Sequence, residues 1–137
     1  MTNFKEVTVD KWDKKDIDGM LAAIYEHSSA TNIDRIYAVG SRVFGGFSDR
    51  SDLDILIYGN SHIKNVCFYH LGLRVTLAHF PTDMPTRKAY GKWDLPLFDL
   101  INKQMIKGNS QHLEEYREHR KGIKENLQKI SIKKTKS

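Results

Sequence analysis

The chain has one cysteine, Cys67, in 137 residues, which excludes an internal disulfide and any CxxC metal or redox site. Long apolar runs are also missing, and none approaches the ~20 residues that a membrane-spanning helix needs. The opening stretch MTNFKEVTVDKWDKK has no apolar core of the kind a secretory leader carries. A cytoplasmic protein without a membrane partner is therefore the expectation. No HExxH or comparable spacing joins His27, His62, His70, His112 and His119 into a metal site, and the GxxxxGK(S/T) of a P-loop is absent. Internal repeats, low-complexity tracts and linkers are lacking too. Length and composition, 39% hydrophobic and 28% charged, fit one domain at residues 1–130, with 131–137 as a basic tail.

Charge is unevenly spread. Residues 117–137 carry eight Lys/Arg against two Glu, a balance of +6 in a chain of net +5, which leaves residues 1–116 at −1. The pI of 9.3 thus describes the end of the chain and not its body. Such an end is either a solvated, frayed terminus or a nonspecific grip on phosphate backbones. Nucleic acid stays open as a partner on that ground.

Residues 14–28 read as a helix, with Ile17, Met20, Leu21, Ile24 and Tyr25 on one stripe. RIYAV (35–39) reads as a short buried strand, GSRVFGG as a turn with a brief helical segment, and SDLDILIY (51–58) as a second strand. NVCFYHLGLRVTLAHF (65–80) gives two β-rich runs around Gly72, a hairpin pattern. PTDMP is a loop. Residues 96–107 are expected to be helical, starting at Pro96, a residue tolerated in a first turn. A last helix over 110–129 places Leu113, Tyr116, Ile123, Leu127 and Ile130 at three- and four-residue steps, with Arg120 in the polar slot. It packs on a small core, or forms a homodimer seam. The order α-β-turn-β-β-β-α-α predicts an α+β (mixed α/β) domain, a mixed sheet with helices packed on it.

Asp52 and Asp54 interrupt this apolar pattern. Alternation puts them on one face of their strand, about 7 Å apart, while Leu53, Ile55 and Ile57 face the other way into a core. Two unscreened neighbouring carboxylates push at least one pKa upward. A divalent cation removes that penalty, and Mg²⁺ takes one or two carboxylates together with substrate phosphates and water. A merely wet outer strand face is the alternative. Gly40 and Ser41 follow directly on the first strand. The glycine lets backbone approach a ligand, and the Ser41 hydroxyl with nearby N–H groups suits phosphate oxygens. Arg42 adds a positive charge there.

Strand, Gly-Ser, ten residues, then Asp-Leu-Asp within a second strand resembles the signature of the DNA polymerase β-like nucleotidyltransferase superfamily, in particular its minimal nucleotidyltransferase branch. The resemblance covers residues 33–80. It implies the small nucleotidyltransferase fold, triphosphate binding at Gly40, Ser41 and Arg42, and catalytic Mg²⁺ (or Mn²⁺) held by Asp52 and Asp54. The implied substrate is an NTP, ATP foremost, and the implied acceptor hydroxyl lies on a protein, a small molecule or RNA. Acceptor recognition in so short a chain falls to the C-terminal helices or to a partner protein.

Family members also carry a third carboxylate on a later strand. The matching stretch LRVTLAHF puts Thr76 at that position, between Val75 and Leu77. Threonine is a poor Mg²⁺ ligand beside a carboxylate and no base at neutral pH. His79, Asp83, Asp94 and Asp99 are substitutes to be tested, as are Tyr90, Trp93 and Phe98 as base-stacking rings. Arg74, on the Thr76 side of its strand, would meet a phosphate or pair with the aspartates. Three readings follow: a Mg-dependent transferase of nucleoside monophosphate, a catalytically impaired nucleotide-binding or protein-interaction module, and a nucleic-acid binder acting through the basic end.

Overall fold

The computed structural model describes residues 3–86 and 92–135, with the backbone path alone at Lys124 and over 127–135. Tyr90, the side chains of Leu127 and Ile130, and those of the basic tail fall outside the described residues. Helix α1 spans Lys14–His27 and begins where the Asp13 carboxylate accepts from the Asp16 N–H at 2.9 Å, satisfying one of the orphan donors of a first turn. Its face with Ile17, Met20 and Ile24 is buried. Tyr25, expected on that stripe, is half exposed.

Strands β1 (Thr31–Val39), β2 (Leu53–Asn60), β3 (Asn65–His70), β4 (Leu73–Phe80), β5 (Leu97–Asp99) and β6 (Gln104–Ile106) form one sheet in the order β3-β4-β2-β1-β5-β6. Only β2 and β4 run parallel; the other neighbours are antiparallel. The sheet is mixed and the domain α+β, as its element pattern predicts. The β3–β4 hairpin turns on Leu71 and Gly72, both at positive φ, the conformation a two-residue connection requires.

β2 is the spine. Leu53, Ile55 and Ile57 are fully buried in the main core with α1, β1 and β4. Leu56 and Tyr58 point to the other face, where they join Tyr37, Val39 and Leu97 in a second apolar cluster. That second face is therefore greasy at one end and carries Asp52 and Asp54 at the other.

The expected helix at 96–107 is instead the β5–β6 hairpin, with Leu97 opposite Ile106 and Asp99 opposite Gln104. The Asp99 carboxylate accepts from both the N–H and the Nδ2 of Asn102, at 3.0 and 2.8 Å. That side-chain-to-backbone closure makes a turn instead of a helical step. Leu97 enters the second cluster and Phe98 the main core, so adjacent residues are buried on opposite faces, as only a strand permits.

Helix α2 is short, Ser41–Phe44, and α3 is long, Ser110–Thr135. Among the described residues no helix is long and apolar enough to cross a membrane. Ile55→Ala is expected to cost about 2–5 kcal/mol in urea unfolding, whereas Ile63→Ala, at a half-exposed site, stays within about 0.5 kcal/mol.

Candidate active site

The site begins where β1 runs out. Gly40 has φ 84° and ψ −163°, a backbone conformation that a side chain tolerates poorly. A Cβ there would stand 3.3 Å from Asp54 Oδ2. The glycine thus serves both the turn and the close approach of a carboxylate. Ser41 starts α2 beside it.

Asp52 and Asp54 are brought to one face at the start of β2, but their surroundings differ. Asp52 Oδ2 accepts from Arg74 Nη1 at 2.9 Å and, at the outer limit of hydrogen bonding, from the Thr76 hydroxyl at 3.5 Å. Asp54 has no hydrogen-bond or ion-pair partner among the described residues. It is exposed on one side and crowded on the others, and this partial loss of water raises its pKa, with the charge of Asp52 adding to the rise. An acid pair with one member unpartnered and pushed toward neutrality fits a hard divalent cation. No cluster of three or more His, Cys, Asp or Glu suited to a metal exists among the described residues. Asp52 and Asp54 would be the protein's carboxylate donors, and substrate and water would supply the rest.

Thr76 stands next to Asp54 in the parallel register of β2 and β4, the place that the family resemblance gives to a third acid. None of the substitutes reaches it. His79 lies further along β4 and bonds through Nε2 to the Ser28 hydroxyl at 2.8 Å. The Asp99 carboxylate holds Asn102, and neither Asp83 nor Asp94 lines the clefts beside the carboxylates. Phe98 is buried in the core. Trp93 packs edge-on against Tyr116 with ring centres 5.8 Å apart.

Arg42 requires a correction. It is 2% exposed, and its guanidinium donates to the carbonyls of Ser51, Lys5 and Ser48 at 2.8, 2.9 and 3.3 Å. The residue borders the cleft beside Asp52, but its donors are committed to these carbonyls and not turned to a triphosphate. It fastens the loop between α2 and β2 instead.

The cations that line the cleft beside Gly40, Ser41 and Asp54 come from α3. A cleft of about 450 Å³ has Gly40, Ser41 and Asp54 on one wall and Arg117, Arg120 and Lys121 on the other. Arg117 Nη2 donates to the Phe44 carbonyl at 2.8 Å, and the Tyr116 ring meets Phe44 edge-on at 6.0 Å. These contacts fix the helix to the end of the Gly-Ser turn. Sequence spacing offered one hint, the polar Arg120 in an otherwise apolar register, and nothing that linked it to Gly40. A cleft of similar size, about 510 Å³ at the far end of the sheet, has no acid pair in its lining. Chemistry and not volume locates the site.

A mixed sheet that presents paired carboxylates beside a Gly-Ser turn and a basic wall defines a phosphate-handling domain. Residues 21–135 match the family model described as a nucleotidyltransferase domain, and the chain belongs to that family. With the family come nucleotidyl transfer, an NTP substrate and a divalent metal in general terms. No curated protein and no solved structure matches the chain.

Arg42→Met strands three carbonyls and is expected to cost about 2–4 kcal/mol in denaturant unfolding. The raised pKa of Asp54 means that the folded protein binds a proton there more tightly than the unfolded chain. Its contribution to stability therefore falls as pH rises from 3.8 through the folded value, and the deficit persists above it. Without divalent cations Asp54→Asn should melt higher than the wild type at pH 7, with the gap closing toward pH 4 in a thermal scan. Added Mg²⁺ should raise the Tm of the wild type and leave the variant unmoved.

Proposed function

We propose that this protein transfers a nucleoside monophosphate from an NTP, ATP foremost, to an acceptor hydroxyl, with Mg²⁺ or Mn²⁺ held by Asp52 and Asp54. One observation carries the reading: the unpartnered carboxylate of Asp54 and the basic side chains of α3 wall the same cleft, with Gly40 and Ser41 between them. Arg117, Arg120 and Lys121 would hold the polyphosphate, and Ser41 would donate to a phosphate oxygen. Asp52 is oriented by Arg74 and Thr76. When bound, the cation polarises the α-phosphate and lowers the pKa of the attacking hydroxyl. Thr76 accepts no proton at neutral pH, so the hydroxyl proton passes to water.

A second reading has a specific observation behind it. Thr76 stands in place of an acid, and Arg74 already neutralises Asp52 at 2.9 Å. Both favour a module that binds nucleotide without turning it over. A nucleic-acid role for the basic end is less favoured, because its first cations face the cleft.

Incubating the protein with α-labelled NTP, Mg²⁺ or Mn²⁺ and candidate acceptors separates the readings. Label transfer that disappears in both Asp52→Ala and Asp54→Ala supports the transferase; metal-dependent nucleotide binding without transfer supports the module. In either case Arg117→Ala should weaken NTP binding about tenfold or more, the worth of one charged hydrogen bond.

A further inference from the structure

The two aspartates open onto different clefts. Asp54 lines the basic cleft of about 450 Å³ under α3. Asp52 lines a second of about 500 Å³, with Lys5, Arg50, Tyr69 and Arg74 among its walls. Neither carboxylate belongs to both. Phosphoryl transfer with an in-line geometry requires the attacking oxygen and the departing group on opposite sides of the phosphorus. A polyphosphate held by α3 on the Asp54 side leaves the Asp52 side for the acceptor.

We infer that the cleft beside Asp52 is the acceptor site and that it takes a nucleotide unit, a hydroxyl-bearing sugar flanked by a phosphate and a base. This rests on the proposed transferase. Tyr69 pairs with Arg74 across the β3–β4 ladder, and Arg74 reaches Asp52 on β2. The three form a row across the open end of the sheet. Tyr69 is 71% exposed and the Arg74 side chain 52%, so an open ring stands beside a guanidinium that gives Nη1 to Asp52 and keeps an exposed edge. A nucleobase stacks on such a ring, and a phosphate takes paired hydrogen bonds from such a guanidinium. Lys5 reinforces the charge: a Cβ on Gly72 would come within 3.1 Å of its Nζ, so the ammonium sits over the hairpin turn. Arg50 lines the same cleft. Glu6 and Asp49 share the lining, which suits a single phosphate better than a long polyanion.

In the step this implies, the acceptor hydroxyl oxygen bonds to the α-phosphorus and the bond from that phosphorus to the bridging oxygen of the β-phosphate breaks. Pyrophosphate leaves with the electron pair, and the hydroxyl proton goes to water.

The test is fluorescence anisotropy on the full chain without NTP, using a tetraribonucleotide dyed at its 5′ end, competed by AMP and by inorganic phosphate. Binding of a fluorescent, nonhydrolysable NTP is measured separately. Arg74→Glu and Tyr69→Ala should each weaken the oligonucleotide at least about fivefold, with Arg74→Lys intermediate. Arg117→Glu should weaken the NTP and leave the oligonucleotide within about twofold. AMP competing as tightly as the strand assigns a free nucleotide; a strand tighter by about tenfold or more assigns a strand end. The inference fails if neither probe binds, if inorganic phosphate competes as well as AMP, or if binding follows Arg117 instead of Arg74 and Tyr69. Probe binding through Arg74 in a protein that binds no NTP would sink the transferase reading, and the acceptor role with it. Circular dichroism of each variant verifies the fold.

Discussion

Much of the site hangs on one enclosed cation. The Arg42 guanidinium joins the carbonyl of Lys5, in the N-terminal segment, to those of Ser48 and Ser51, on either side of the turn into β2. Its ring neighbour Phe47 lies 4.7 Å away. Burial lowers its pKa, and the charges of Asp52 and Asp49 act against that loss. A positive charge held this way is costly unless its donors are met, and here the chain between Gly40 and Asp52 is folded around meeting them. The result is register. A one-residue slip in the entry to β2 would turn Asp52 and Asp54 into the core and Leu53 and Ile55 out. The same fastening sets the start of α2 against β2, so that Gly40 and the Asp54 carboxylate come within contact.

Within that frame the two carboxylates are not equivalent. The parallel pairing of β2 with β4 puts Arg74 and Thr76 beside them. Arg74 neutralises Asp52, and Asp54 is left with the cost of partial burial beside a like charge. A pair both of whose members were neutralised by side chains would have no use for a cation, and a pair with neither neutralised would repel strongly. This arrangement lies between those cases. It keeps one carboxylate oriented and leaves the other wanting a positive partner.

Several of these features were legible in sequence and several were not, for physical reasons. α1 and the β3–β4 hairpin show their period directly, because one face of each is buried against one core, while β2 shows as an apolar run because cores cover both its faces. The α+β architecture and the family follow from those elements and the Gly-Ser and Asp-Leu-Asp spacing. The β5–β6 hairpin was hidden because Leu95, Leu97, Phe98 and Leu100 fit helical spacing as well as a strand buried on both faces; the Asp99–Asn102 closure decides it. Residue type and position mark Arg42 as a phosphate ligand but give no direction, and its guanidinium turns inward to backbone carbonyls. Arg117, Arg120 and Lys121 look in sequence like part of a charged end, because the bond that brings that end to α2, from Arg117 to Phe44, spans 73 residues of chain. Spacing along a sequence holds no record of such a distance.

The placement of α3 also reinterprets the basic end. Arg117, Arg120 and Lys121 wall the same cleft as Asp54, yet none forms an ion pair with it among the described residues. Opposite charges facing one cleft with freedom to meet ordinarily do so. Here Arg117 is committed to the Phe44 carbonyl, and the Phe44, Tyr116 and Trp93 rings keep the helix at a fixed stand-off. The space between is bounded by cations on one side and an unpartnered carboxylate on the other. A ligand that complements both walls must be anionic toward α3 and bring positive charge toward β2. A polyphosphate alone would meet repulsion at Asp54, and a metal ion alone would leave the α3 cations unanswered. A polyphosphate carrying its own divalent cation satisfies both walls at once, so the charge pattern favours nucleotide and metal entering the cleft together.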